Sequence, residues 1–114
     1  MITLIQCGIA DRDHRDSLRQ YAHTLHYRNT ICIAEAWAKL PIDYQMGVIA
    51  HEVGHLLAGD KEHSEEEADR LANKFFHIRI RYKNGIYGKH LQWLSLNDVM
   101  NILEWSNNNV KRLI

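Results

Sequence analysis

The stretch that decides the fold runs Val48-Ile49-Ala50-His51-Glu52-Val53-Gly54-His55-Leu56-Leu57-Ala58-Gly59. Two histidines four residues apart lie one above the other on the same face of a helix, so both imidazoles can reach one metal ion. Glu52 points about 100° away around the helix. This offset keeps it out of the metal's ligand set but close enough to accept a proton from a metal-bound water. The stretch therefore predicts a metal-binding helix that ends at Gly59.

An apolar stripe of helical period accompanies the two histidines. Its members are Met46, Ile49, Val53, Leu56 and Leu57. We expect this face to be buried, with the histidines where the stripe gives way to a cleft. Upstream, Pro41 and Asp43 indicate the start of the helix, because the missing N–H of a proline costs nothing in a first turn.

A second helix is predicted to begin after Ser64, because Ser64 and Glu67 form a capping-box pattern. Its apolar face comprises Ala68, Leu71, Ala72, Phe75 and Phe76. Glu65 falls in its first turn, and Asp69 lies one turn further along the same face. A carboxylate from this helix would complete a site of two histidines and leave a fourth position open, as in catalytic zinc sites. Asp69 is placed to accept a hydrogen bond from the free ring N–H of a metal-binding histidine. His63 is an alternative third ligand.

The two predicted helices resemble the gluzincin branch of the zinc peptidases, and within it the ImmA/IrrE-type peptidases of bacteria, phages and mobile elements. Those carry a His-Glu-x-Gly-His helix and a later Glu-x-x-Ala-Asn/Asp-x-Phe-Ala helix. The matching stretches here are His51-Glu52-Val53-Gly54-His55 and Glu65-Glu66-Glu67-Ala68-Asp69-Arg70-Leu71-Ala72, with Leu71 where the family usually has Phe. The resemblance covers roughly residues 44 to 76.

The resemblance implies a zinc metalloendopeptidase in which His51, His55 and Glu65 hold the zinc and Glu52 is the general base. Peptidases of this type cut specific regulators in the cytoplasm. The resemblance therefore implies a hydrolase that cleaves a specific intracellular protein, with a transcriptional regulator as one candidate. The alternative is a non-catalytic zinc-binding regulatory or interaction module. Glu52 argues against that alternative, because a structural zinc site has no need of a carboxylate beside an open position. A DNA-repair or regulatory factor without metal is a third interpretation.

Composition limits the other classes of function. The chain has 114 residues, which predicts a single domain over residues 1–114, and its 14 basic residues equal its 14 acidic ones. This balance favours neither nucleic acid nor a membrane as a partner. We expect no signal peptide, and no apolar run is long enough to span a bilayer. Cys7 and Cys32 lack the spacing of a disulfide framework, so a cytoplasmic protein is expected.

The N-terminal part of the chain predicts a strand, a helix and a second strand. Met1 to Gly8 is expected to be a short strand, followed by a helix from Asp11 or Asp13 to Tyr27 that turns its apolar residues inward. Its inward residues would be Leu18, Tyr21, Ala22 and Leu25. Thr30 to Trp37 alternates as a strand does. The resemblance implies that Ile31 to Ala36 form an edge strand beside the cleft, where an extended substrate can pair. An ordinary core strand is the alternative.

The C-terminal part predicts a hairpin and a last helix. Phe76 to Tyr82 and Ile86 to Leu94 are expected to pair through the turn signal Asn84-Gly85. Ser95 and Asp98 cap a helix that runs through Trp105. This helix, with Val99, Ile102, Leu103 and Trp105, is expected to be core or the face of a homodimer. Tyr82, Tyr87 and His90 are candidate oxyanion stabilisers or substrate contacts, although each is also an ordinary strand residue.

The predicted fold class is α+β. We expect a minimal zincin-like domain in which a small sheet packs on two metal-binding helices, flanked by an N-terminal and a C-terminal helix.

Overall fold

The computed structural model describes residues 2–6, 21–25, 29–59, 64–82 and 91–112. In chain order its elements are β1 (Ile2–Gln6), β2 (Ala22–Leu25), β3 (Thr30–Ile33), α1 (Glu35–Ala38), α2 (Ile42–Ala58), α3 (Glu65–Phe76), β4 (Arg81–Tyr82), β5 (Gln92–Trp93), α4 (Leu96–Asn109) and β6 (Val110–Arg112). These elements form a small α+β domain around one hydrophobic core. The predicted α+β class is confirmed, and the zincin-like character of the domain stays a prediction.

Four of the strands form a mixed sheet in the order β2-β3-β1-β6. Strand β1 pairs in parallel with β3 on one side and with β6 on the other. Strand β2 pairs antiparallel with β3, which places His23 opposite Cys32. Ile31 and Cys32 are fully buried, as expected for an interior strand, and Cys32 is a reduced thiol.

The interpretation of Ile31 to Ala36 as an edge strand beside the cleft is wrong, and the core-strand alternative holds. Strand β3 has a partner on each side, so its backbone cannot pair with an extended substrate. The strand also ends at Ile33 instead of continuing to Trp37. The segment after it turns into α1 because Trp37 is tied to α2. Its indole Nε1 donates to the Gln45 carbonyl at 3.1 Å, and Gln45 Nε2 donates back to the Trp37 carbonyl at 3.2 Å.

The predicted N-terminal flanking helix is wrong over residues 22–25, where the chain forms strand β2. The apolar spacing there fits one face of a helix. Backbone pairing with β3 along four consecutive residues overrides this weak local preference. Just before the strand, the Tyr21 carbonyl accepts from the Ala34 N–H at 2.9 Å. The rest of the predicted helix, including Asp11, Asp13 and Leu18, lies outside the described residues.

Helix α2 is the central element and packs against α3, α4, β5 and the sheet. It begins after Pro41 and is followed by Gly59, as the sequence predicts. Of the predicted apolar stripe, three residues are buried and Leu56 is partly buried, but Leu57 is 44% exposed. The prediction is therefore wrong for Leu57, which lies in the last turn of α2. A Cβ at Gly47 would lie 2.6 Å from the Gln92 carbonyl oxygen, so the absence of a side chain there lets β5 approach the helix.

The first strand of the predicted hairpin begins at Arg81 and not at Phe76. Helix α3 includes Phe76, and His77 then adopts a left-handed conformation with φ 55°, a frequent way to end a helix. Within the described residues, β4 and β5 pair antiparallel, with Tyr82 opposite Gln92. The predicted turn at Asn84-Gly85 lies outside the described residues.

Helix α4 begins as predicted, with Ser95 Oγ accepting from the Asp98 N–H at 3.4 Å, and it continues beyond Trp105 to Asn109. Val99 and Ile102 are buried in the core. This agrees with the core interpretation of the last helix and leaves its use in a homodimer as a prediction. Strand β6, which follows α4 and pairs with β1, was not predicted.

Within the described part of the chain, no helix combines the length and the apolar character that a membrane span requires.

Candidate metal centre

Helix α2 places the two histidines side by side. His51 is buried, with 2% of its surface exposed, and the side chain of His55 is 13% exposed. Their rings meet edge to face with centroids 4.7 Å apart. The two Nε2 atoms lie 3.2 Å apart and point to the same place. This is the arrangement that the four-residue spacing predicts.

Helix α3 brings a carboxylate to the same place. Its first turn is fixed by Ser64, whose Oγ accepts from the Glu67 N–H at 3.2 Å, as the capping-box pattern predicts. Glu65 Oε2 lies 2.7 Å from His51 Nε2, and Oε1 lies 3.1 Å from His55 Nε2. Glu66, the next residue, is exposed and is not among the residues that converge.

The three side chains fit a metal ion. Among the described residues, His51, His55 and Glu65 offer one ligand atom each, and these atoms all lie within 4.8 Å of one another. A tetrahedral zinc site with bonds of about 2.0–2.2 Å separates its ligand atoms by about 3.3–3.5 Å. The observed separations are 2.7 Å from His51 Nε2 to Glu65 Oε2, 3.1 Å from His55 Nε2 to Glu65 Oε1 and 3.2 Å between the two Nε2 atoms, so the ligand atoms would have to move apart by less than about 1 Å. Two imidazoles and one carboxylate are also a donor set that suits zinc.

Asp69 contacts His51 at Nδ1, the ring nitrogen that does not face the other ligand atoms. Its Oδ1 lies 2.6 Å from His51 Nδ1, so the predicted contact is present. When Nδ1 is protonated, it donates a hydrogen bond to the Asp69 carboxylate. The unprotonated Nε2 then faces the other ligand atoms. Contacts of this kind fix the ring orientation of metal-binding histidines and raise their basicity.

The charge on His51 depends on three neighbouring carboxyl groups. Burial lowers the pKa of this imidazole, but hydrogen bonds to Asp69 and Glu65 and the charges of Glu52 and Asp69 outweigh burial and raise it to about 10. The hydrogen bond from His51 in turn lowers the pKa of the Glu65 carboxyl, against a smaller opposing effect of its own burial. Without a cation, His51 and Glu65 therefore form an ion pair. A metal ion would take the place of the shared proton.

Glu52 is a buried carboxyl beside this cluster. Burial raises its pKa to about 8, the charge of Glu65 adds to this, and the charge of His51 acts in the opposite direction. A carboxyl group with such a pKa can both accept and return a proton near neutral pH. A nearby metal ion would lower this pKa by favouring the charged form.

Tyr82 has a contact that the sequence did not suggest. Its hydroxyl group donates a hydrogen bond to Asp69 Oδ2. Nothing in the local pattern signals this contact, because it joins β4 to α3 across 13 positions of the chain. Of the other residues suggested near the site, His63, Tyr87 and His90 lie outside the described residues.

No protein-family model matches the chain, and no curated protein or solved structure is significantly similar to it. The resemblance to the ImmA/IrrE-type peptidases therefore stays a prediction from the motif residues of α2 and α3.

Proposed function

We propose that the protein is a zinc-dependent metallopeptidase, with His51, His55 and Glu65 as the zinc ligands and Glu52 as the general base. The observation that supports it best is the convergence of the three ligand atoms beside a buried carboxyl group. A bound zinc ion would polarise the carbonyl of the scissile peptide bond and acidify a water molecule. A ligand set of two histidines and one glutamate, with a further glutamate next to the first histidine, is the pattern of a hydrolytic site.

Glu52 is suited to proton transfer in this reaction. Its carboxylate would take a proton from the attacking water and then deliver it to the nitrogen of the leaving amine. Its burial favours this role, because a carboxylate removed from bulk water is a stronger base. His51 and His55 would hold the cation, and Asp69 would keep the His51 ring in place through the 2.6 Å contact.

The proposal extends to the kind of substrate and its location. The motif residues resemble those of the gluzincin family and, within it, the ImmA/IrrE-type peptidases. We therefore propose that the substrate is one particular protein in the cytoplasm, with a transcriptional regulator as a candidate, and that the gene belongs to a phage or mobile element. The equal numbers of acidic and basic residues favour neither nucleic acid nor a membrane as a partner.

The test is cleavage of a peptide library by wild-type protein and by the Glu52→Gln variant, both loaded with zinc. Peptides from a whole-proteome digest serve as substrate, and new termini are counted by mass spectrometry. We expect the wild type to cut only a small subset of these peptides, since the proposed substrate is one particular protein, and the variant to cut none. The zinc content of both should be equal, because the substitution removes the base and no ligand.

Two outcomes would contradict the proposal. Equal cleavage by the Glu52→Gln variant would show that Glu52 is not the base. The other outcome is no cleavage of library peptides or of regulators encoded beside the gene, together with a protein side chain in the fourth zinc position. This outcome would favour the non-catalytic zinc-binding module.

A further inference from the structure

We infer that Tyr82 is a positioning residue of the metal centre, which holds Asp69 and through it the ring of His51. The inference rests on the metal site of the proposed function and not on the reaction. It follows from a chain of hydrogen bonds that joins β4, α3 and α2.

Both oxygens of the Asp69 carboxylate are engaged. Oδ1 contacts His51 Nδ1 at 2.6 Å, and Oδ2 accepts from the hydroxyl group of Tyr82. A carboxylate held at one oxygen can still swing about its terminal torsion, which is broad for aspartate. With both oxygens held, the plane of the carboxylate is fixed, and so is the direction of the imidazole that it contacts. Tyr82 therefore supplies the second point of attachment.

Tyr82 is itself well placed for this role. The segment before it is fastened to α3, because Asn73 accepts from the Ile78 N–H through its carbonyl at 3.1 Å and from the Ile80 N–H through Oδ1 at 2.9 Å. Asp98 Oδ2 fastens the same segment to α4 by accepting from the Arg79 N–H at 3.1 Å. The start of β4 is thus anchored to two helices.

Strand β5 holds the tyrosine from the other side. Gln92, the partner of Tyr82 across β4 and β5, is buried. Gly47 allows β5 to lie against α2, the helix that carries His51. The tyrosine therefore connects the two-stranded sheet to the metal centre by contacts on both of its sides. Loss of the hydroxyl group would remove one contact and keep the ring.

The experiment is a double-mutant cycle on zinc affinity, measured by competition with a chromophoric chelator. It compares the wild type with Tyr82→Phe, Asp69→Ala and the double variant. We expect Asp69→Ala to weaken zinc binding about 10- to 100-fold, the usual effect of losing a residue that holds a metal ligand. Tyr82→Phe, one hydrogen bond further away, should weaken it by about 3- to 10-fold. In the Asp69→Ala background the same change should have less than about a twofold effect, since the tyrosine acts through Asp69.

A second measurement separates positioning from a loss of folding. In zinc-loaded wild-type protein the His51 Nδ1 proton should exchange slowly with water. In the zinc-loaded Tyr82→Phe variant the same proton should exchange faster. The urea midpoints of the zinc-free proteins should be the same. Unchanged zinc affinity in Tyr82→Phe, or an equal loss in both backgrounds, would overturn the role of Tyr82. If the wild type binds no zinc, the metal site of the proposed function is itself refuted and this inference with it.

Discussion

A Cβ atom at Gly54 would lie 1.9 Å from the carbonyl oxygen of Ala68. Helices α2 and α3 therefore touch backbone to backbone at this point, one residue before His55 and one residue before Asp69. The contact is what brings the carboxylates of α3 within reach of both histidines. Glycine is required here for the space it leaves.

Replacing Gly54 by alanine should force the two helices apart. Alanine in the middle of a helix normally stabilises by about 0.5–1 kcal/mol relative to glycine. Here the clash is with backbone, which cannot move aside, so we expect a net loss of roughly 1–3 kcal/mol. Urea unfolding measures the loss, and zinc competition should show weaker binding. A stabilised Gly54→Ala variant with unchanged zinc affinity would mean that the helices are not in contact at this point.

The neighbouring pair Glu65 and Glu66 provides a matched test of the third ligand. Both are exposed glutamates in the first turn of α3, so their alanine variants change charge and helix propensity alike. Only Glu65 approaches the two Nε2 atoms. We expect Glu65→Ala to lose zinc by elemental analysis and Glu66→Ala to retain it. The reverse result, or loss of zinc in His63→Ala alone, would assign the ligand elsewhere.

The predictions from sequence succeeded where local chemistry decides the structure. Three features of this kind act over only a few residues and can therefore be recognised in one sequence. They are the capping serines before α3 and α4, the proline before α2, and the spacing of His51 and His55. Ala22 to Leu25 were misjudged because their spacing also suits a helix, and only pairing with β3 decides in favour of a strand. Strand β6 and the contact between Tyr82 and Asp69 depend on distant parts of the chain, which local patterns do not reveal.

Without metal, the fold should lose stability as the pH rises above neutrality. The pKa of His51 is raised from 6.5 to about 10, so its contribution is full below pH 6.5 and is lost as the pH rises through about 10. Glu52 acts in the same direction, because its pKa rises from 4.5 to about 8 and its contribution is lost as the pH rises through about 8. Glu65 has a lowered pKa, so its contribution is lost only as the pH falls below 4.5.

Zinc should counteract this loss of stability at higher pH. Binding requires that His51 release its proton, so zinc affinity and the stability that zinc adds should increase with pH. Urea midpoints are compared at about pH 6.5, 7.5 and 8.5, a window set by these pKa shifts, with a chelator and with zinc. We expect the midpoint to fall with pH under chelator and the gain from zinc to grow. A rise of the chelator-treated midpoint over this range would contradict the assigned protonation of His51 and Glu52.

Selectivity can be tested with an unfolded general substrate. If the protein cuts one particular partner, as we propose, zinc-loaded protein should leave unfolded casein nearly intact while it cleaves a regulator encoded beside its gene. Gel electrophoresis with the Glu52→Gln variant as control excludes a contaminating peptidase. Rapid and unselective breakdown of casein would refute a narrow substrate range while leaving the catalytic role of Glu52 intact.

The most direct test of the central claim is the number of zinc ions bound per chain, measured by native mass spectrometry. We predict close to one zinc ion in the wild type and in Glu52→Gln, and close to none in His51→Ala. Because His51 is buried, His55→Ala is measured beside it, and circular dichroism checks that each variant folds. Zinc content in both folded histidine variants equal to that of the wild type would contradict the account, since the metal would then lie somewhere other than between α2 and α3.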